Sequence, residues 1–198
     1  MKITREQEHY AVDGQRLWRV THVINAVSKE WLPADETAMV RGQAVHQATR
    51  LYDEDGPKFE KDLAEPLPEE IRGDLHAWIR FRKEMDFTPR VIEQPISVPE
   101  MGYAGTPDRF GRLGSLNALV DIKRKARKTT ALQTIAYAGG ISGGPIVRIA
   151  VELRSDGSYN IVDYPVADWY RDWAAWLGML SYFKWTQHQE RKKGKHHE

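Results

Sequence analysis

Ala118-Leu119-Val120-Asp121-Ile122-Lys123-Arg124 reads as a β-strand with charged chemistry at its far end. Side chains two apart on a strand share a face. Asp121 and Lys123 therefore point one way, while Val120 and Ile122 point into a core. A carboxylate beside an ammonium on a rigid support suits a hard divalent cation, which takes oxygen ligands. The lysine can orient a metal-bound water, help to deprotonate it, or neutralise charge developing on a phosphate. The triplet alone is weak. With roughly 25% of residues charged, an acid followed two places later by lysine arises by chance about once or twice in such a chain. Glu190-Arg191-Lys192 is a second copy, with no strand around it, and reads as chance.

Just upstream lies Gly105-Thr106-Pro107-Asp108-Arg109. Strands are expected over Val91 to Val98, Gly102 to Phe110 and Ala118 to Arg124, with the last two joined by a turn over Gly111 to Asn117. In that hairpin Asp108 and Asp121 face each other and can share one metal. Two close buried carboxylates repel, so they need a cation. The plainer alternative is a turn aspartate paired with Arg109 or Lys123.

Around this centre the periodicity changes. Val40, Ala44, Val45, Ala48 and Leu51 recur at helical spacing, so a helix is expected from about Asp35, its N-cap, to Tyr52. Asp53-Glu54-Asp55-Gly56-Pro57 ends it. Ile71, Leu75, Trp78, Ile79 and Met85 give a second helical stripe. Thr130 to Ala138 returns to helix. Ile146 to Leu153 and Tyr159 to Tyr164 flank Ser155-Asp156-Gly157-Ser158 as a hairpin. A last helix starts near Asp168 and carries Trp169, Trp173 and Trp176. Those tryptophans serve either as a docking face or, as their spacing also allows, as core. Arg16 to Val27 suggests a short strand and a turn. The order of elements predicts an α/β fold, a central mixed β-sheet flanked by α-helices.

The chain of 198 residues is 41% hydrophobic and 29% charged, which is globular rather than disordered. It has no cysteine, so disulfides, thiol catalysis and an iron–sulfur cluster are excluded. No apolar run approaches the ~20 residues of a bilayer span, and Met1 to Arg5 does not open a signal peptide. No membrane partner and a cytoplasmic setting are expected. Net charge is only +1, but Lys123, Arg124, Lys125, Arg127 and Lys128 cluster beside the acidic pair. A second basic run, Arg191 to Lys195, is either a phosphate patch or a frayed tail. Gln133 and Tyr137 are four apart and share a helix face. They suit contacts to phosphate or base, or a structural role. His46 is a helical histidine, which suits manganese as well as magnesium if it is a ligand.

Together these residues resemble the PD-(D/E)XK nuclease superfamily in its RecB-like, phage-type exonuclease branch. Arg41-Gly42 with His46 is similar to the family's RGxxxH helix. Gly105-Thr106-Pro107-Asp108 is similar to its GxxD strand, Asp121-Ile122-Lys123 to its (D/E)xK, and Gln133 to Tyr137 to its QxxxY. Val20-Thr21-His22-Val23-Ile24 resembles the strand–turn segment that opens such domains. The pieces fall in the family's order over roughly Val20 to Tyr164. Any one motif is unspecific; the ordered set is specific.

The resemblance implies a restriction-endonuclease-like core spanning 1–190 as one nuclease domain, with 191–198 as a basic tail. It implies hydrolysis of phosphodiester bonds with one or two Mg2+ or Mn2+ ions. His46, Asp108, Asp121 and the Ile122 carbonyl would bind metal, Lys123 would position the attacking water, and Glu93 would be a further acid. Asp108, Asp121 and Lys123 would be catalytic. Arg41, Arg124 and Lys125 would contact DNA, as single strands or duplex ends, and Gln133 and Tyr137 would hold the DNA or the motif strand. The Cas4-like plan is met only without its cysteine cluster. No GxxxxGK[ST] motor loop is present. A metal-dependent DNA exonuclease of recombination, repair or replication is the leading expectation, working alone or with proteins of those processes. It would act in the cytoplasm, or in the host cytoplasm if phage-encoded. The alternatives are a non-catalytic DNA-binding module and a nuclease-like subunit of a larger complex.

Overall fold

The computed structural model describes residues 3–28, 36–62, 66–142 and 144–194. Its elements are β1 (Ile3–Arg5), β2 (His9–Val12), β3 (Gln15–Arg19), α1 (Val20–Ser28), α2 (Glu36–Asp55), α3 (Glu69–Glu84), β4 (Phe87–Ile92) and β5 (Ile96–Val98). Then follow β6 (Tyr103–Gly105), β7 (Arg109–Leu113), β8 (Leu116–Lys123), α4 (Thr130–Ser142), β9 (Val147–Leu153), β10 (Tyr159–Tyr164) and α5 (Trp169–Gly194). The fold is mixed α/β, with helices flanking mixed sheets. The expected N-cap Asp35 lies outside the described residues, as does Lys195 of the basic tail.

The main sheet has the order β10-β9-β8-β7-β4. Its centre is β8, antiparallel to β7 and parallel to β9. A parallel neighbour needs a crossover, and α4 supplies it. On one face Val120, Ile122, Ile149 and Val151 pack on Val45 and Ala48 of α2 and on Trp78 and Phe81 of α3. On the other, Leu119 meets Ile135 of α4 and a cluster that includes Trp176 and Phe183 of α5. β8 is thus covered on both sides, which explains its nearly continuous apolar run.

A second sheet, ordered β1-β2-β3-β6-β5, lies alongside. Here the structure departs from the expected strands. Gly102 to Phe110 is not one strand but β6 and β7, in different sheets. Pro107, with no N–H to give a ladder, sits in the break. Val91 to Val98 is likewise divided into β4 and β5, and Glu93 occupies that break with φ +47° instead of lying on a strand. Val20 to Ile24 is the first half of α1, not a strand and turn. The β7–β8 turn is tighter than Gly111 to Asn117, since β7 reaches Leu113 and Gly114 takes φ +55°. The 155–158 hairpin pairs β9 with β10 as expected.

Trp169 and Trp176 are buried and Trp173 is packed against the same core, so these tryptophans build the interior and not a docking face. α5 continues to Gly194, so Arg191 and Lys192 are helical and not a free tail.

Candidate active site

The β7–β8 register pairs Arg109 with Val120. Extending it by one residue sets Asp108 opposite Asp121, as the hairpin reading expected. The two carboxylates are then held differently. Asp108 Oδ2 accepts the backbone N–H of Ile122 at 2.7 Å, so it replaces a ladder rung where Pro107 has interrupted the strand. Its Oδ1 stands 3.7 Å from His46 Nδ1, delivered by α2. Glu93 Oε1 lies 3.9 Å from the same nitrogen. Asp121 is wholly buried; its Oδ1 accepts from Gln133 Nε2 at 3.2 Å. Lys123 Nζ approaches Asp121 Oδ2 to 2.8 Å as an ion pair. Among the described residues Lys123 is the one partner of Oδ2.

The electrostatics follow from this packing. Burial pushes the Asp121 carboxyl up to about 6, with Lys123 pulling it down and the Asp108 charge adding to the rise. Burial alone would also raise Asp108, but His46, Lys123, the Ile122 N–H and Arg109 hold it below the ordinary carboxylate range. Burial works against the Lys123 ammonium, yet Asp121 and Asp108 keep it charged above its usual pKa. The Tyr137 phenol stays protonated, raised by burial and by the two carboxylates. Its ring lies so close to β6 that a Cβ on Gly105 would stand 2.3 Å from Tyr137 Cε1, which accounts for the glycine in that motif.

His46, Glu93, Asp108, Gln133 and Tyr137 line a cleft of about 810 Å3, with the buried Asp121 behind Gln133. Arg5, Arg19 and Arg50 also border it; the sequence reading did not single them out. Lys123 lines a neighbouring cavity of about 390 Å3 with Arg41 and Arg124, and His46 and Gly42 border both. Arg41 and Arg124 share a buried carboxylate, Asp74, at 2.8 and 3.3 Å. Lys125 is exposed beside them.

Arg109 is the main residue that sequence reasoning misjudged. It was weighed as a partner for the Asp108 carboxylate. Instead it is fully buried, pairs with Asp53, reaches Glu93 Oε1 at 3.4 Å and donates to the Asp108 backbone carbonyl at 2.8 Å. Asp53, placed with the segment that ends α2, also accepts from Trp78 Nε1 at 3.0 Å and Arg82 Nη1 at 2.7 Å. This network fixes both the acid at the β4–β5 break and the start of β7.

No family model matches the chain, and no curated protein matches it in sequence. Solved structures do. The fold matches that of a candidate exonuclease from Eubacterium rectale. The alignment covers 89% of this chain and 78% of that one, with a TM-score of 0.52 at 10% identity, and it speaks for the fold alone. LHK-Exo in complex with dAMP aligns over 90% of this chain and 94% of its own at 17% identity, with a TM-score of 0.37. The alkaline exonuclease LHK-Exo from Laribacter hongkongensis aligns over 88% and 93% at 17% identity, with a TM-score of 0.31. Scores that low carry no argument.

The donor set can be tested for a divalent cation directly. Two carboxylates and an imidazole are chemically suited to magnesium or manganese. Asp121 Oδ2, buried with Lys123 as its one partner, and Asp108 Oδ1, facing His46, are the oxygens that could turn to it. Among the described residues, no group of three or more such side chains stands ready-made around one point. The donors fit the ion in kind, and Lys123 is paired with one of them, Asp121 Oδ2.

Proposed function

We propose that this chain is a Mg2+- or Mn2+-dependent deoxyribonuclease that hydrolyses phosphodiester bonds, acting from DNA ends in recombination, repair or replication. The observation that carries the reading is that Asp108, just before β7, stands opposite Asp121 of β8, with Lys123 beside Asp121 and His46 against Asp108. His46, Asp108 and Asp121, with the Ile122 carbonyl, would hold the ion, and Glu93 would add a carboxylate at its edge. When bound, the cation supplies Lewis acidity toward the phosphoryl oxygen and acidifies a water.

The protein's own groups do the remainder. Lys123, kept protonated by its two carboxylates, offers N–H donors where negative charge gathers on the phosphate and orients the incoming water. Gln133 fixes the plane of the Asp121 carboxylate by bonding Oδ1, which leaves Oδ2 for Lys123 and the ion. Tyr137, neutral and wedged on Gly105, gives the cleft a rigid wall. Arg5, Arg19 and Arg50 neutralise backbone phosphates along the cleft. Arg124 and Lys125 extend that field on the Lys123 side, and Arg41 supports it through Asp74.

The test is degradation of end-labelled linear single strands, linear duplex and closed circles, each with magnesium, manganese or EDTA. Metal-dependent loss of the linear substrates alone, absent from Lys123→Ala, is the expected result. Cutting of circles would make the enzyme an endonuclease. A second reading, a non-catalytic DNA-binding module, is favoured by one observation: Lys123 already engages the oxygen a metal would need. Metal-independent DNA binding with every substrate left intact would select it.

A further inference from the structure

β3 alternates its side chains across the second sheet. Arg19 borders the large cleft, while Arg16 and Trp18 border a separate groove of about 290 Å3. The other wall of that groove is α5. Lys184, Gln187, His188 and Arg191 fall at i, i+3, i+4 and i+7 and present one face to it. The base is aromatic: His9 lies against Trp18 at 4.0 Å, His22 stacks on it at 5.6 Å, and Phe183 meets it edge-on at 4.8 Å.

The groove is built and cationic. Lys184 Nζ donates to the Met101 carbonyl at 2.6 Å, which pins the ammonium at the rim and leaves it further N–H donors. Gly102 makes room for it, since a Cβ there would stand 2.9 Å from Nζ. Partial burial lowers the Lys184 pKa. Arg16 is paired at 2.9 Å with Glu6, and Gln187 bonds Glu190 at 3.1 Å. Among the described residues Arg191 meets no carboxylate, and Lys192 follows it on the helix. A chain of net charge +1 thus concentrates Arg16, Lys184 and Arg191 in one groove. Trp185, three residues before His188 and therefore its neighbour on the helix surface, is more than half exposed, and Tyr182 lies against its far side, centroids 6.1 Å apart at 29°. An exposed ring at the edge of a cationic track supplies the two parts of a single-strand platform, where phosphates are neutralised and bases stack.

We propose that this groove is a second nucleic-acid contact, outside the acidic centre. Phosphates seat against Lys184, Arg16 and Arg191, and an unpaired base stacks on Trp185. The choice of nucleic acid as the polyanion rests on the nuclease reading above.

Binding is measured in EDTA, so that it is independent of cleavage. The probe is a fluorescent oligothymidine of about 20 nucleotides, longer than a typical site of ~4–16. The charge-reversed pair Lys184→Glu/Arg191→Glu lowers affinity about ten-fold at low salt and flattens the salt dependence by about one to two ion equivalents. Trp185→Ala lowers affinity about five-fold or more. A 4-thiothymidine oligonucleotide crosslinked to the unaltered protein yields peptides from residues 182–191, which keeps the question open to decision even if a variant misfolds. Unchanged affinity and slope in folded variants, or crosslinks confined to the cleft, would overturn the proposal. Salt-sensitive binding lost in these variants, in a protein that never cuts DNA, would uphold the groove and remove only the nuclease reading.

Discussion

Asp53 and Asp121 are both carboxylates with no side-chain exposure, and both meet a cation at close range. Around Asp53 every need is met: an indole N–H and two guanidinium groups converge on its two oxygens. Around Asp121 one oxygen has only the Lys123 ammonium, a second carboxylate faces it, and its pKa stands raised. Burying an ion is costly unless partners replace the lost water. Asp53 therefore belongs to the framework. Asp121 is held in a state that folding alone does not reward, as expected of a group reserved for a ligand.

The largest effect that would break this contrast is at Asp121. Asp121→Asn reduces DNA cleavage about a thousand-fold, as removal of a group acting in the transition state does. It leaves the thermal midpoint unchanged or higher, because a strained buried charge is gone. Asp53→Asn is its mirror image. The buried Arg109 and the partly buried Arg82 lose their counter-ion, so stability falls by about 3–5 kcal/mol. A chain of this size then melts roughly 6–20 °C lower. Calorimetry of both variants decides the matter, and equal shifts would erase the distinction.

Smaller changes sharpen it. Gly105→Ala pushes a methyl group into the Tyr137 ring and costs about 1–3 kcal/mol, readable in urea unfolding. Acidity separates the two sites further. The folded pKa of Asp121, about 6, lies above its ordinary 3.8. Its contribution to stability is therefore fully present below about 4 and lost as pH rises through 6. The stability gained by Asp121→Asn over the unaltered protein grows accordingly from pH 5 to pH 7. Mn2+ affinity, followed by electron paramagnetic resonance, falls up to ~10-fold per pH unit below about 6 as the carboxylate takes a proton. The smallest effect is at the exposed Arg124, whose ion pair to Asp74 is partly solvated. Arg124→Ala changes stability by less than about 1 kcal/mol, and by fluorescence anisotropy it weakens DNA binding only about two- to three-fold.

The same contrast explains what was legible in the sequence. β8 announced itself because an apolar run ending in Asp-Ile-Lys can be read from alternation alone. α2, α3, α4 and the β9–β10 hairpin followed from spacing and turn residues. The site residues on those elements, His46, Asp121, Lys123 and Gln133, come together with Asp108 from the break before β7, at one cleft, its neighbour and the buried carboxylate between them. The second sheet was hidden. β1 and β5 are three residues long and β6 is as short, too brief to establish a period. Asp13-Gly14, both with positive φ, was a hairpin signal that could have exposed β2 and β3. The breaks at Glu93 and Pro107 were obscured because apolar residues continue on both sides. The Asp53–Arg109 pair had no local signature. It joins residues 56 apart in the chain, and only tertiary packing reveals it.

The bond from the Ile122 amide to Asp108 has a spectroscopic consequence. A proton shared with a carboxylate resonates at a field set by that carboxylate's charge. The Ile122 amide is thus a native sensor, one residue from Asp121 and built into the central strand. Its signal in a nitrogen-15 correlation spectrum should follow protonation or ligation of Asp108 without any label or substitution at the acidic centre.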